Sequence, residues 1–180
     1  MMKQAIFALS ILVFASDLAK PAISQAASSL PSAATKVYVG LLKDNAVAVL
    51  DTGTNRVLKT IPVPPGPHGL VASPKSHKVF VSSDGASTVS VIDTETDRVV
   101  NSIEVGPTPH GLAISPDGSK VLVSVWGGNQ AVIIDTASEQ IVGRMPVLQA
   151  HNSAISPDGR TAYVGSQQQE IGRASCRERV

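Results

Sequence analysis

Along the middle of the chain, apolar residues come in short runs separated by small, polar or cyclic residues, a rhythm too short for helices and suited to strands. The run GLAIS leads into Ser115-Pro116-Asp117-Gly118, where proline presets φ at the second position and glycine accepts a left-handed conformation, so a tight hairpin is predicted. KVLVSV then reads as a β-branched strand, Gly127-Gly128-Asn129 as a reversal and AVIID as a third strand. Asp135-Thr136-Ala137-Ser138 turns the chain again, the Asp and Thr side chains capping local backbone groups, and QIVGRMPV is a fourth strand.

This four-strand unit is repeated. His68, His110 and His151 stand 42 and 41 residues apart, and Asp51, Asp93 and Asp135 stand 42 and 42 apart. A fixed period of this size marks a repeat architecture. Third strands such as Val47-Ala48-Val49-Leu50 and Ala131-Val132-Ile133-Ile134 are apolar on both faces, so each sheet must be covered on both sides. The fourth strand, Arg98 to Val105 in one unit, is more polar, and Pro62 and Pro146 fall at its equivalents; a residue that cannot donate to a ladder belongs at an outer edge. The strands should therefore run from innermost to outermost in sequence order. The expected fold is all-β, a β-propeller of four-stranded antiparallel blades, with units at 37–64, 68–105, 110–147 and 151–169.

Both ends depart from this pattern. Lys3, the mostly apolar run from Ala5 to Ala15 and the small residues Ala22, Ser24 and Ala26 predict a signal peptide over 1–26, with a linker at 27–36 and the partial propeller at 37–169. The apolar run is too short to cross a bilayer, which takes about 20 residues, so no stable membrane insertion is expected after cleavage. IGRASCRERV, residues 171–180, resembles a translated sequencing adapter, and 170–180 is read as a non-native tail.

Composition then narrows the functions. The chain of 180 residues is 43% hydrophobic, 16% charged and 3% aromatic. Without the two ends, 10 basic and 11 acidic residues remain, which is no footprint for a phosphate backbone; no nucleic-acid partner is expected. The single cysteine, Cys176, lies in the tail, so neither a disulfide framework nor a thiol nucleophile is expected. The signal segment predicts a periplasmic or secreted location.

The stretch KVFVSSDGASTVSVIDTETDRVVNSIEVGPTPHGLAISPDGSKVLVSV resembles the YVTN-type repeat of YncE-like bacterial propellers, with Tyr38-Val39-Gly40 and Tyr163-Val164-Gly165 at the signature position. The third strands end in Ile-Asp or Leu-Asp rather than the Trp-Asp of WD40 repeats. The resemblance implies about seven blades. Two full and two partial blades are expected here, an incomplete ring whose open ends should favour association.

Chain direction sets which loops share a face. His68, His110 and His151 begin innermost strands and should ring one mouth of the central channel, with Asp84, Trp126 and Asn129 in the other loops of that face. Imidazoles so gathered can take a transition metal or an anionic ligand. The propeller domain of nitrous oxide reductase, similar in this respect, holds a copper cluster with histidines at its channel mouth; copper or another transition metal is thus a possible cofactor, though none is required. The alternative is that each histidine only binds backbone of the adjacent blade as a packing device. His77 is read as a solvated loop residue on the opposite face, and Asp51, Asp93 and Asp135 as turn caps. No nucleophile elbow, phosphate loop, HExxH or Ca²⁺ loop occurs. The expected function is an exported, non-catalytic scaffold binding a protein or small-molecule ligand at the channel-mouth face. Its alternative is a propeller enzyme of lactonase or metal-dependent redox type.

Overall fold

A computed structural model describes residues 35–168. The expected signal peptide, the tail and the linker before residue 35 lie outside the described residues. The first sheet holds β1 (Lys36–Leu41), β2 (Ala46–Asp51) and β3 (Arg56–Pro62), with a 3₁₀ turn at Leu42–Asp44. The second holds β4 (Pro67–Ser73), β5 (Lys78–Ser83), β6 (Thr88–Asp93) and β7 (Arg98–Glu104). The third holds β8 (Pro109–Ile114), β9 (Lys120–Val125), β10 (Gln130–Asp135) and β11 (Gln140–Pro146), and the last β12 (Ala150–Ile155) and β13 (Ala162–Ser166). Within every sheet the spatial order is the chain order and neighbours are antiparallel, as the repeat predicts.

The doubly apolar strands are doubly buried. Along β5, Val79 and Val81, with Ile92 of β6 beside them, face the first blade and join its Val47, Val49 and Ile61; Phe80, between them, points the other way and joins Val121, Val123 and Ile134 of the third blade. Successive side chains on a strand leave opposite faces, so a continuous apolar run fills two inter-blade cores. Leu122 does the same between the third and fourth sheets, meeting Ala150, Ala162 and Val164. Burial of each such aliphatic side chain contributes about 1.5–3 kcal/mol. The outermost strands are different: β3 and β7 are largely exposed.

Charged contacts lock adjacent blades at a shared position. Lys36 Nζ reaches Asp97 Oδ2 at 2.7 Å, and Tyr38 donates to Asp97 Oδ1 at 2.6 Å. One period on, Lys78 Nζ reaches Glu139 Oε1 at 2.5 Å, and Asn101 donates to Glu139 Oε2 at 2.6 Å. Burial and the neighbouring Asp97 push the Tyr38 phenol well above its ordinary range.

The turns follow their chemistry. Gly118 sits at φ +70 and donates to the Ser115 carbonyl at 2.8 Å, while Asp117 accepts from Ser115 Oγ and the Ser119 amide. Asp51, Asp93 and Asp135 each accept from the backbone three residues on, as caps should.

Candidate functional site

The candidate site is built by a repeated break in the ladder between the two innermost strands. Pro67 pairs with Ser83 and Leu70 with Val81, so His68 and Gly69 together stand opposite the single residue Ser82. In the third blade, Pro109 pairs with Val125 and Leu112 with Val123, leaving His110 and Gly111 opposite Ser124. In the fourth, Ala150 pairs with Ser166 and Ser153 with Val164, leaving His151 and Asn152 opposite Gly165. A bulge of this kind bends the strand and re-aims the extra side chain. The residue before each inner strand, Gly66, Thr108 or Gln149, has a positive φ of 74, 54 or 46, which turns the chain sharply into it.

The glycine beside each of the first two histidines lets neighbouring blades approach. A Cβ on Gly69 would lie 2.6 Å from the His110 carbonyl oxygen, and one on Gly111 would lie 2.5 Å from that of His151. No real side chain tolerates such distances. Ser82 completes the first junction by donating to the His110 carbonyl at 2.5 Å and accepting from the Gly69 amide at 2.9 Å.

The consequence is a column of imidazoles. Ring centroids of His68 and His110 are 3.6 Å apart with the planes inclined by 36°, and those of His110 and His151 are 4.0 Å apart at 33°. His68 is exposed, and His110 and His151 are half-buried. His110 Nδ1 is buried without a hydrogen-bond partner. Burial, then repulsion from His68 and His151, holds the His110 pKa below the ordinary imidazole value, offset in part by the His151 backbone and the charge of Asp84.

A second tier lies over this column. Asp84, Trp126 and Gln167 occupy equivalent places in successive blades, and their amides donate to the carbonyls of Gly66, Thr108 and Gln149 at 2.9, 3.0 and 3.2 Å. Trp126 Nε1 donates to Gln167 Oε1 at 2.9 Å, joining the third and fourth blades. Gln167 was not expected from the sequence, although it stands 41 residues after Trp126, within the repeat. Asn129 serves the loop instead: at φ +48, it accepts from the Gln149 amide through Oδ1 at 3.0 Å. The structure thus stacks His68, His110 and His151, sets Asp84 beside the first pair and sends Trp126 to Gln167.

Among the described residues, one group of three metal-ligating side chains has its donor atoms within 4.8 Å of one another: His68, Asp84 and His110. On the opposite face, a groove runs between Pro116, Asp117, Pro157 and Asp158. Its carboxylates are occupied by their own turns, which hold both pKa values below the ordinary range, chiefly through Ser115 for Asp117 and Ser156 for Asp158. His77 is exposed on that same side, at φ +55. No helix among the described residues is long and apolar enough to cross a membrane.

Comparison with known proteins agrees with this architecture. A family model described as YncE-like beta-propeller matches residues 13–159. No curated protein sequence matches. Among solved structures, hydrazine synthase of Kuenenia stuttgartiensis is 25% identical with a TM-score of 0.69, the match covering 74% of this chain and 40% of that one. Dihydro-heme d1 dehydrogenase NirN in complex with DHE is 22% identical (TM-score 0.64), with 74% of this chain and 30% of that one covered. A chain of the Mitotic Checkpoint Complex is 19% identical (TM-score 0.65), with 73% and 42% covered. The chain therefore spans less than half the length of these structures.

Proposed function

Since the chain belongs to the YncE-like β-propeller family, we propose that it acts as an exported, non-catalytic scaffold that binds a protein or small ligand at the face carrying the histidine column. One observation carries this reading: the imidazoles of that face are gathered into one column whose polar atoms are not all hydrogen-bonded. His110 Nδ1 has no partner, whereas the repeated aspartates of the other face are hydrogen-bonded within their own turns. Half-buried Trp126, its indole N–H bonded to Gln167, adds an amphipathic ring of the sort that anchors partners. A protein partner is in keeping with one structural neighbour belonging to a named assembly, the Mitotic Checkpoint Complex.

Site-specific photocrosslinking in the producing cells tests it. A benzophenone side chain installed at Gln167, beside Trp126, should give a discrete adduct that Trp126→Ala removes. The same group at Lys75, on the opposite face, should give none. Equal adducts from both positions, or none from Gln167, would overturn the reading.

The enzymatic alternative is favoured by the closeness of the donors on His68, Asp84 and His110. Two structural neighbours, hydrazine synthase and the dehydrogenase NirN, are enzymes by name. It requires turnover that disappears with His68→Ala.

A further inference from the structure

We propose that His68, Asp84 and His110 form a binding site for one borderline divalent transition ion, of the Zn²⁺ or Cu²⁺ kind. This rests on the mouth being the binding face and goes beyond it by naming what the face holds. It also differs from a symmetric ring of histidines. The positions one period apart in the second tier are Leu42, Asp84, Trp126 and Gln167, and Asp84 alone among them carries a charge. The anion therefore meets the column at a single place, between the second and third blades.

Three features converge there. Two imidazoles and a carboxylate are a donor set suited to Zn²⁺ or Cu²⁺ and poor for Mg²⁺ or Ca²⁺, which require mostly oxygen. The donors already lie within 4.8 Å of one another. A tetrahedral ion with bonds of about 2.0–2.1 Å spaces its ligands about 3.3 Å apart, so modest inward rotation completes the site. His68 is exposed and Asp84 half-buried, and both can make it.

The second feature is the buried, unpartnered Nδ1 of His110, which marks that ring as one whose hydrogen bonds do not exhaust its polar atoms. The third is the seat of Asp84. Its carboxylate lies over Gly66, at φ +74, where any Cβ would collide with it, so the loop preceding β4 has been kept clear for that group. Two His and one Asp leave a four-coordinate ion one further position, which would be taken by water or by a ligand's donor atom.

The test uses the full chain carrying Cys176→Ser, to remove the one thiol, after treatment with a chelator. Titration calorimetry with Zn²⁺, and competition against a chromophoric chelator for Cu²⁺, should each give one equivalent bound; Mg²⁺ should give none. Asp84→Asn and His68→Ala should each weaken binding by about tenfold or more. His77→Ala, on the opposite face, should leave it within about twofold. Circular dichroism confirms that the variants fold, and His68 and Asp84, being accessible, are chosen over His110 for that reason. Absence of binding, indifference to Asp84→Asn, or loss with His77→Ala would overturn the site. Adducts from Gln167 without Zn²⁺ binding would discard the ion and keep the docking face; Zn²⁺ binding without adducts would do the reverse.

Discussion

At the inner edge of the second blade, His68 and Gly69 stand opposite Ser82; at its outer edge, Val100 is the extra residue between Asn101, which pairs with Val91, and Val99, which pairs with Ile92. Both are bulges, and both recur one period later, at His110-Gly111 and at Val142. What they face separates them. The inner bulge meets the backbone of the next blade, so its residues are constrained to a glycine that fits the gap and a histidine that stacks on its counterpart in the next blade. The outer bulge meets water. There an irregular ladder bends the edge away from pairing with other chains, and the side chain it displaces is exposed. A repeated irregularity thus acquires chemical meaning from its neighbour, not from its geometry.

The largest effect that could break this comparison comes from adding one methyl group at each edge. Gly111→Ala places a Cβ 2.5 Å from the His151 carbonyl oxygen and 2.9 Å from Asn152 Cα, both backbone atoms that cannot step aside. The third and fourth blades must separate, at a cost of about 1–3 kcal/mol. Gly143→Ala, on the outer strand β11, meets nothing nearer than Ile133 Cδ1 at 3.4 Å and should change stability by less than about 0.5 kcal/mol. Thermal unfolding of the two variants should show Tm falling by several degrees for the first alone. Equal tolerance would mean that the inner glycines do not set blade spacing.

A smaller effect should separate the edges by pH. The His110 pKa is depressed in the folded protein, so the unfolded chain takes up the proton first. The stability contributed at the mouth is complete above the ordinary imidazole value of 6.5 and is lost as pH falls through the lower folded value, while His68 and His151 oppose the new charge and Asp84 favours it. Towards the outer edge, the carboxylates of Asp51, Asp93 and Asp135 are held below 3.8, chiefly by Thr54, Thr96 and Ser138 in their own turns. Their contribution is present above 3.8 and lost only below it. In chelator-treated protein, the denaturation midpoint should fall in two separate steps, and His110→Gln should remove the first while sparing the second. A midpoint that is flat between pH 7 and 5 would show that His110 is not buried among its neighbours.

Strand order, hairpin chemistry and the exposed fourth strand were legible in the sequence because each depends on residues adjacent along the chain. Pro116 with Gly118 specifies a turn, and Asp93 specifies a cap over Thr96, wherever the blade lies. The common placement of the three histidines followed from their period. Their stacking did not, because it depends on register: nothing local says that His110 and Gly111 share one partner, Ser124, across the ladder. The His-Gly pair, present at 68–69 and 110–111, was the available signal. The Lys36–Asp97 and Lys78–Glu139 contacts were hidden for the same reason, since each partner is regular in its own blade and the pairing exists only between blades.

The smallest effect is predicted at the outer bulge itself. Leu58, Val100 and Val142 are 52%, 55% and 56% exposed, so their side chains recur without being buried. If the bulge is kept for its backbone shape, the aliphatic group is replaceable by any side chain that suits a strand. Val142→Thr keeps β-branching and volume, and removes little apolar area that folding had taken from water. Stability should then stay within about 0.5 kcal/mol of the parent in urea unfolding. The same measurement at two protein concentrations guards against a trivial reading: a loss above about 1 kcal/mol that grows with concentration would mean that Val142 is covered by a second copy, and the outer bulge would then face a protein surface as the inner one does.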